Sequence, residues 1–281
     1  MNLYLISYAN RDYYKNQRRL NDSALQFGVD TIRPYIEKEI QKSHFFAENR
    51  SILEQNRGAG CWLWKPYIIL DQLNHLQSGD CLFYADSGVE IIRDLTPLVD
   101  LCIQQDGILL FSNDGHLNKT WTKRDCFVLM GCDAENYHNA EQLSASFQVY
   151  IKNQKTIDFV EEWLSYCQNP HILTDLSNTC GLENFPEFIE HRWDQSVLSL
   201  LAVKHDLEIF RDPSQWGNHM KMPAFREPGE WLSKPYSESC YINSPYYTLL
   251  NHHRDRPLSF KLDQFAKKVK SKMETLHGNF F

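Results

Sequence analysis

The residue pattern with the clearest chemical content lies between Gly79 and Glu90. Cys81-Leu82-Phe83-Tyr84-Ala85 is an apolar run that breaks abruptly at Asp86-Ser87-Gly88. A carboxylate at the end of a buried strand suits a hard divalent cation that keeps coordination positions open for diphosphate oxygens. The plainer reading is an Asp-Ser-Gly turn, because Asp and Gly dominate turns. Glu90, two residues further along an extended segment, is a candidate second carboxylate. Trp121 followed by Thr122-Lys123-Arg124 sets a basic pair beside an indole. That arrangement suits ring stacking and phosphate contact, or is an ordinary surface charge pair. Tyr8 and Asn10 close the first apolar run and are candidates by position for contact with a nucleotide base.

These residues need elements to hold them. Leu3–Tyr8 and Cys81–Ala85 are short apolar runs that predict buried strands, as does 107–112, while 145–151 alternates as a half-buried strand. Apolar spacing near 3.6 predicts helices over 15–27, 31–43, 66–76, 154–167 and 194–204. Pro66 fits a first helical turn, and Arg57-Gly58-Ala59-Gly60 reads as a glycine-bearing turn before it. Asp194 opens the helix bearing Val197 and Leu198, where Asp commonly caps. Strands alternating with helices predict an α/β fold with a mostly parallel sheet, whose ligands bind beyond the carboxyl ends of its strands. Residues 211–247, rich in Pro, Trp, Tyr and Gly, predict a loop-rich segment wrapped on the core.

Composition narrows the classes. The 281 residues carry a net charge of −7 without a basic cluster, which argues against nucleic acid as a partner. Apolar runs reach about eight residues where a membrane span needs ~20. The first residues lack a basic region and a small-residue cleavage site, so the expectation is a cytoplasmic protein. The eight cysteines include no C-x-x-C pair and read as buried free thiols.

The stretch Arg57-Gly58-Ala59-Gly60-Cys61-Trp62-Leu63-Trp64-Lys65-Pro66-Tyr67 followed by Gly79–Gly88 resembles the GT-A-type glycosyltransferases, family 8 and related polysaccharide and viral enzymes among them. In those enzymes a lysine- or arginine-bearing helix precedes a strand ending in a "DxD" metal motif. The 21 residues from Lys65 to Asp86 accommodate one helix, a turn and a strand. The likeness extends to Asn113-Asp114-Gly115, Thr122–Asp125, Ala145-Ser146-Phe147 and His191–Ser196, so it covers roughly 1–205.

The resemblance implies a single GT-A-like, Rossmann-type domain over 1–281. Residues 1–110 would form a nucleotide-sugar half, 111–250 an acceptor half and 257–281 a C-terminal amphipathic helix. It implies sugar transfer from a nucleoside-diphosphate sugar, UDP the expected carrier, to a glycan or lipid-linked glycan in polysaccharide biosynthesis. Donor contacts would come from Tyr8, Asn10, Arg57, Lys65, Asp86, Ser87 and Gly88. The acceptor side would be Trp121, Lys123, Arg124 and His191. Asp194 and Gln195 would stand at the reacting centre, Asp194 taking the acceptor's proton or holding a sugar hydroxyl as well as capping its helix. Lys65 would meet phosphate or sugar, or be a solvated helix-start lysine, a position the helix dipole mildly disfavours.

Gly88 stands where the family's second aspartate would be. Either Asp86 holds Mn²⁺ or Mg²⁺ with help from Glu90, His252 or His253, or cationic side chains replace the metal. A chain that kept the fold and lost the metal pair would instead be a non-catalytic carbohydrate-binding or scaffold protein. The Phe260–Leu276 stretch alternates apolar residues with Lys261, Lys267, Lys268, Lys270 and Lys272. It reads as a helix packed on the domain or as a peripheral contact with an anionic membrane.

Overall fold

The structure is a computed structural model and describes residues 1–219 and 243–253. Nine strands are present among these residues: β1 (Leu3–Ala9), β2 (Thr31–Ile36), β3 (Cys81–Ala85), β4 (Val89–Ile91), β5 (Ile108–Leu117), β6 (Glu141–Leu143), β7 (Phe147–Ile151), β8 (Ile209–Phe210) and β9 (Leu250–His252). Seven of them form one sheet in the order β2-β1-β3-β7-β5-β6, with β8 on β5. β1 pairs in parallel with both β2 and β3, and β8 runs parallel to β5. β7 is antiparallel to β3 and β5, and β6 to β5, so every strand of this sheet but β6 and β7 points the same way, while β4 and β9 form a separate antiparallel ribbon. The fold is the expected α/β sandwich with a mostly parallel sheet flanked by helices.

Strand alternation divides the core in two. Leu82, Tyr84, Ile6 and Tyr150 face a layer containing the helices Trp64–His75, Gln154–Cys167 and Trp193–Lys204. Cys81, Phe83, Ala85, Leu5 and Val149 face the layer of Tyr14–Gln26 and Thr96–Gln104. A period of two thereby sends Tyr84 to the same side as Lys65.

One element corrects its expectation. Residues 31–36 are not the start of a helix but an edge strand, followed by a short helix at Glu37–Gln41. Pro34 lacks the N–H that a helix interior needs, and an edge strand tolerates it. Ser7 on β1 lies opposite Pro34. Seven of the eight cysteines lie among the described residues and all are free. No described helix is long and apolar enough to cross a membrane. The expected C-terminal helix over 257–281 lies outside the described residues.

Candidate active site

The helix Trp64–His75 begins with Lys65 on its buried side, and β3 ends at Ala85, one residue before Asp86. The helix Trp193–Lys204 brings Asp194 to the same place. Lys65 Nζ lies 2.9 Å from Asp194 Oδ2 and 3.5 Å from Asp86 Oδ1, and donates to the Ala145 carbonyl at 2.9 Å. The side chains of Lys65 and Asp194 are only 3 % and 4 % exposed, whereas Asp86 keeps 33 %. Tyr84, two residues before Asp86 on the same strand face, donates its hydroxyl to Asp86 Oδ1. Asp86 is therefore the open end of a buried charge cluster.

Burial and electrostatics act in opposite senses here. Desolvation pushes the Asp194 carboxyl up to about 6 despite the adjacent ammonium. Burial also acts against the charge on Lys65, but the two carboxylates outweigh it and the amine is held protonated. One ammonium against two carboxylates leaves the cluster with an excess negative charge when both acids are ionised.

The glycine-bearing turn is a left-handed one. Gly58, Ala59, Gly60, Cys61 and Trp62 have φ of 57°, 51°, 98°, 51° and 58°. Each non-glycine residue in such a turn costs roughly 1–2 kcal/mol, so neighbours must hold it. Gly60 N donates to Gln55 O at 2.8 Å, Cys61 N to Arg57 O at 2.7 Å, and Trp64 Nε1 to Gly58 O at 3.0 Å. The turn sends Trp62 against Trp193 (ring centroids 5.0 Å apart) and Trp64 against Tyr8 (3.9 Å). Trp193, immediately before Asp194, also has a positive φ of 47°. Left-handed backbone thus lies just before each residue of the buried ion pair, as it commonly does at working sites.

A cleft of about 510 Å³ opens beside Tyr8 and Trp64, with Asn10, Glu37, Gln55 and Ala59 also in its wall. Asn10 Oδ1 is buried there and accepts no hydrogen bond from a described residue. Asp86 is not part of that wall; the connection runs through Trp64 and its neighbour Lys65.

The remaining expected residues divide. Ser87 is buried, and Gly88 accepts from His253 N at 3.1 Å. His252 lies opposite Val89 in the β4–β9 ribbon, 5.5 Å ring to ring from Phe147, and burial pushes its imidazole down against the fields of Asp212 and Asp86. Glu90 is spent on Arg19 at 2.7 Å. Arg57 turns to Glu190 at 2.8 Å and stacks over Trp193 at 4.4 Å.

On the other side of the site, Lys123 and His191 are not free to meet an acceptor. Lys123 Nζ donates to the carbonyls of Thr174 and Leu176. The His191 ring spans Lys123 N at 3.3 Å and Ile172 O at 2.9 Å, and burial holds it down at about 3. Arg124 pairs with Asp133 at 2.9 Å, and Trp121 lies under the Arg192 guanidinium at 4.3 Å.

Among the described residues no group of three His, Cys, Asp or Glu side chains converges as metal ligands. Asp86 already gives one oxygen to Tyr84 and Lys65, and Gly88 offers none. This donor set falls short of what a hard divalent cation takes from a protein and its substrate.

Tyr84 and Trp64 were not among the residues expected from sequence. The signal for Tyr84 was its place two residues before Asp86; for Trp64, its place beside Lys65.

No family model matches the sequence, and no curated protein matches it. Among solved structures, mouse xyloside xylosyltransferase 1 in its apo form is similar with a TM-score of 0.46 at 8 % identity, over 91 % of this chain and 98 % of that one. The apo glycosyltransferase GlyE of Streptococcus pneumoniae gives 0.42 at 13 % identity over 92 % and 56 %. The galactosyltransferase LgtC in complex with donor and acceptor sugar analogs gives 0.39 at 12 % identity over 95 % of each chain.

Proposed function

We propose that the chain is a GT-A-like glycosyltransferase that moves a sugar from a nucleoside-diphosphate sugar, with UDP as carrier, to a glycan acceptor. The observation that carries this reading is the half-open Asp86 held by the dry Lys65–Asp194 pair. In sugar transfer, positive charge grows at the anomeric carbon as the diphosphate leaves. A fixed, net-negative cluster stabilises that charge without reorganising when the reaction occurs. Asp86 faces the sugar in this reading, and Lys65, which bonds the Ala145 carbonyl and pairs with both carboxylates, keeps the two acids in place. Asp194, with its carboxyl raised toward neutrality, serves as base or sugar-hydroxyl contact.

The Tyr8–Trp64 cleft takes the nucleotide base. A buried acceptor at Asn10 suits a ring N–H donor, which uracil offers and which would end its unpaired burial.

Thermal unfolding with UDP, followed by UDP release from UDP-glucose and UDP-galactose, tests the reading. A ligand at 100 times its dissociation constant adds about 2.7 kcal/mol to stability, so binding raises the melting point clearly. Tyr8→Ala should remove the UDP shift, and Asp86→Ala should abolish release while keeping it. Release that survives Asp86→Ala would sink the assignment. The missing second carboxylate at Gly88 favours one other reading, a non-catalytic binding protein; a UDP shift without release from any donor would select it.

A further inference from the structure

We infer that Gln142, together with Asn118, is the positioning residue that fixes which end of the Gln195 amide is offered to substrate. Two fixed points set the polarity. The backbone carbonyl of Tyr137 can only accept, and Asn118 Nδ2 donates to it at 3.0 Å. Asn118 Oδ1 is therefore turned the other way and requires a donor, which Gln142 Nε2 supplies at 3.1 Å. Ser196 is the second fixed point. Its hydroxyl proton goes to the Trp121 carbonyl at 2.8 Å, and its oxygen accepts from Arg192 N at 3.1 Å. Ser196 Oγ thus also presents an acceptor toward Gln142 Nε2, at 3.5 Å, while Thr122 Oγ1 takes the same amide at 2.9 Å.

With its NH₂ group committed on that side, Gln142 must present Oε1 on the other. That oxygen receives Gln195 Nε2 at 2.9 Å. Flipping Gln142 would set its oxygen against Asn118 Oδ1 and its N–H against that of Gln195, and flipping Gln195 would set its oxygen against Gln142 Oε1. Gln142, Asn118, Thr122 and Ser196 are at most 1 % exposed, so water cannot repair the mismatch. The outcome is directional: the half-buried Gln195 keeps Nε2 inward, and no described residue donates to its Oε1.

A group that only accepts selects its partner by chemistry. Gln195 Oε1 receives a hydrogen bond from a sugar hydroxyl and turns a negative dipole toward positive charge; it repels phosphate and carboxylate oxygens. This consequence rests on the proposed transfer reaction, whereas the relay geometry does not.

The test separates the two. In protein labelled with ¹⁵N in glutamine side chains, both Gln142 amide protons should exchange at least about 100-fold slower than a free amide. One Gln195 proton should be slowed as well, and in Gln142→Met both Gln195 protons should exchange freely. Gln142→Met should also lower kcat for UDP release from UDP-glucose or UDP-galactose about tenfold with KM unchanged. Gln142→Glu keeps the accepting oxygen and, once protonated, the donor edge, so its kcat relative to wild type should recover as pH falls. Gln142→Met should show no such recovery, and Gln142→Glu serves alone if the methionine variant does not fold. Free exchange of both Gln195 protons in the wild type overturns the relay, as does a Gln142→Met variant with wild-type kcat. The expected exchange pattern in a protein that releases no UDP leaves the relay standing and rejects the transfer reaction instead.

Discussion

Lys65 and Asp194 meet at 2.9 Å with both side chains almost dry, although they come from two helices on opposite halves of the sequence. A pair of this kind adds little net stability, but removing one partner strands the other in a low-dielectric interior. Lys65→Met should therefore cost about 3–5 kcal/mol. Asp194→Asn in the same background should return much of that loss, because the stranded charge is gone. Denaturant unfolding of the two single variants and the double variant measures the coupling. Additive effects would show that the two side chains do not act as a pair.

His191 contributes to the response to acid. Its imidazole is neutral in the fold because burial, and secondarily the charge on Lys123, hold it at about 3 against an ordinary value of 6.5. Below pH 6.5 the unfolded chain takes up a proton that the native ring refuses. This residue's contribution is therefore fully present above pH 6.5 and is lost as pH falls toward about 3, with a slope of up to about 1.4 kcal/mol per pH unit. His191→Gln should show a shallower decline of unfolding free energy between pH 6 and 4 than the wild type. An equal slope in both would mean that the ring is protonated in the native state.

The parts of the fold with a strong local signal were legible in the sequence. The strand Cys81–Ala85 and the helix Gln154–Cys167 lie where their patterns put them, because the first is an unbroken apolar run buried on both faces and the second buries one continuous face. Thr31–Ile36 was misread because Ile32, Tyr35 and Ile36 fit a helical period, while its pairing with β1 is a long-range fact. Asp86, Lys65 and Asp194 each stood out singly, as residues at the ends of elements. That they share one ammonium depends on how helices dock on the sheet, which no window of sequence contains. The burial of Lys123 and His191 was hidden for the same reason: the carbonyls of Thr174 and Ile172 that bond them come from a distant stretch of the chain. The Gln142–Gln195 relay gave no advance signal, since amide side chains carry no periodicity.

Two glycines near the site should behave in opposite ways. Gly60 has φ +98°, and a Cβ there would lie 2.6 Å from the Leu53 Cα. Neither the backbone angle nor the packed neighbour can yield cheaply, so Gly60→Ala should cost at least about 2 kcal/mol. It should also disturb Trp62 and Trp64, which this turn directs. A Cβ at Gly88 would meet nothing within 4 Å, and Gly88→Ala should change stability by no more than about 0.5 kcal/mol. Melting temperatures of the two variants decide it; a tolerated Gly60→Ala would show that the left-handed turn is not required.

The open space at Gly88 also allows the second carboxylate to be restored. Asp86 and residue 88 are two apart in a turn whose backbone is fixed by Val89 N on Asp86 O at 3.0 Å and His253 N on Gly88 O at 3.1 Å. Gly88→Asp should add a carboxylate without a steric penalty, beside the half-open Asp86 and on the same ribbon as His252. Two carboxylates and a histidine make a far better hard-cation donor set than one carboxylate already bonded to Tyr84 and Lys65. The expected result is a Mn²⁺-dependent rise in melting temperature for Gly88→Asp in the presence of UDP, with a much smaller rise in the wild type. Manganese raising both proteins equally would mean that Asp86 binds the ion without help from position 88. The donor set of the natural protein would then be sufficient as it stands, with the Tyr84 and Lys65 contacts giving way to the metal.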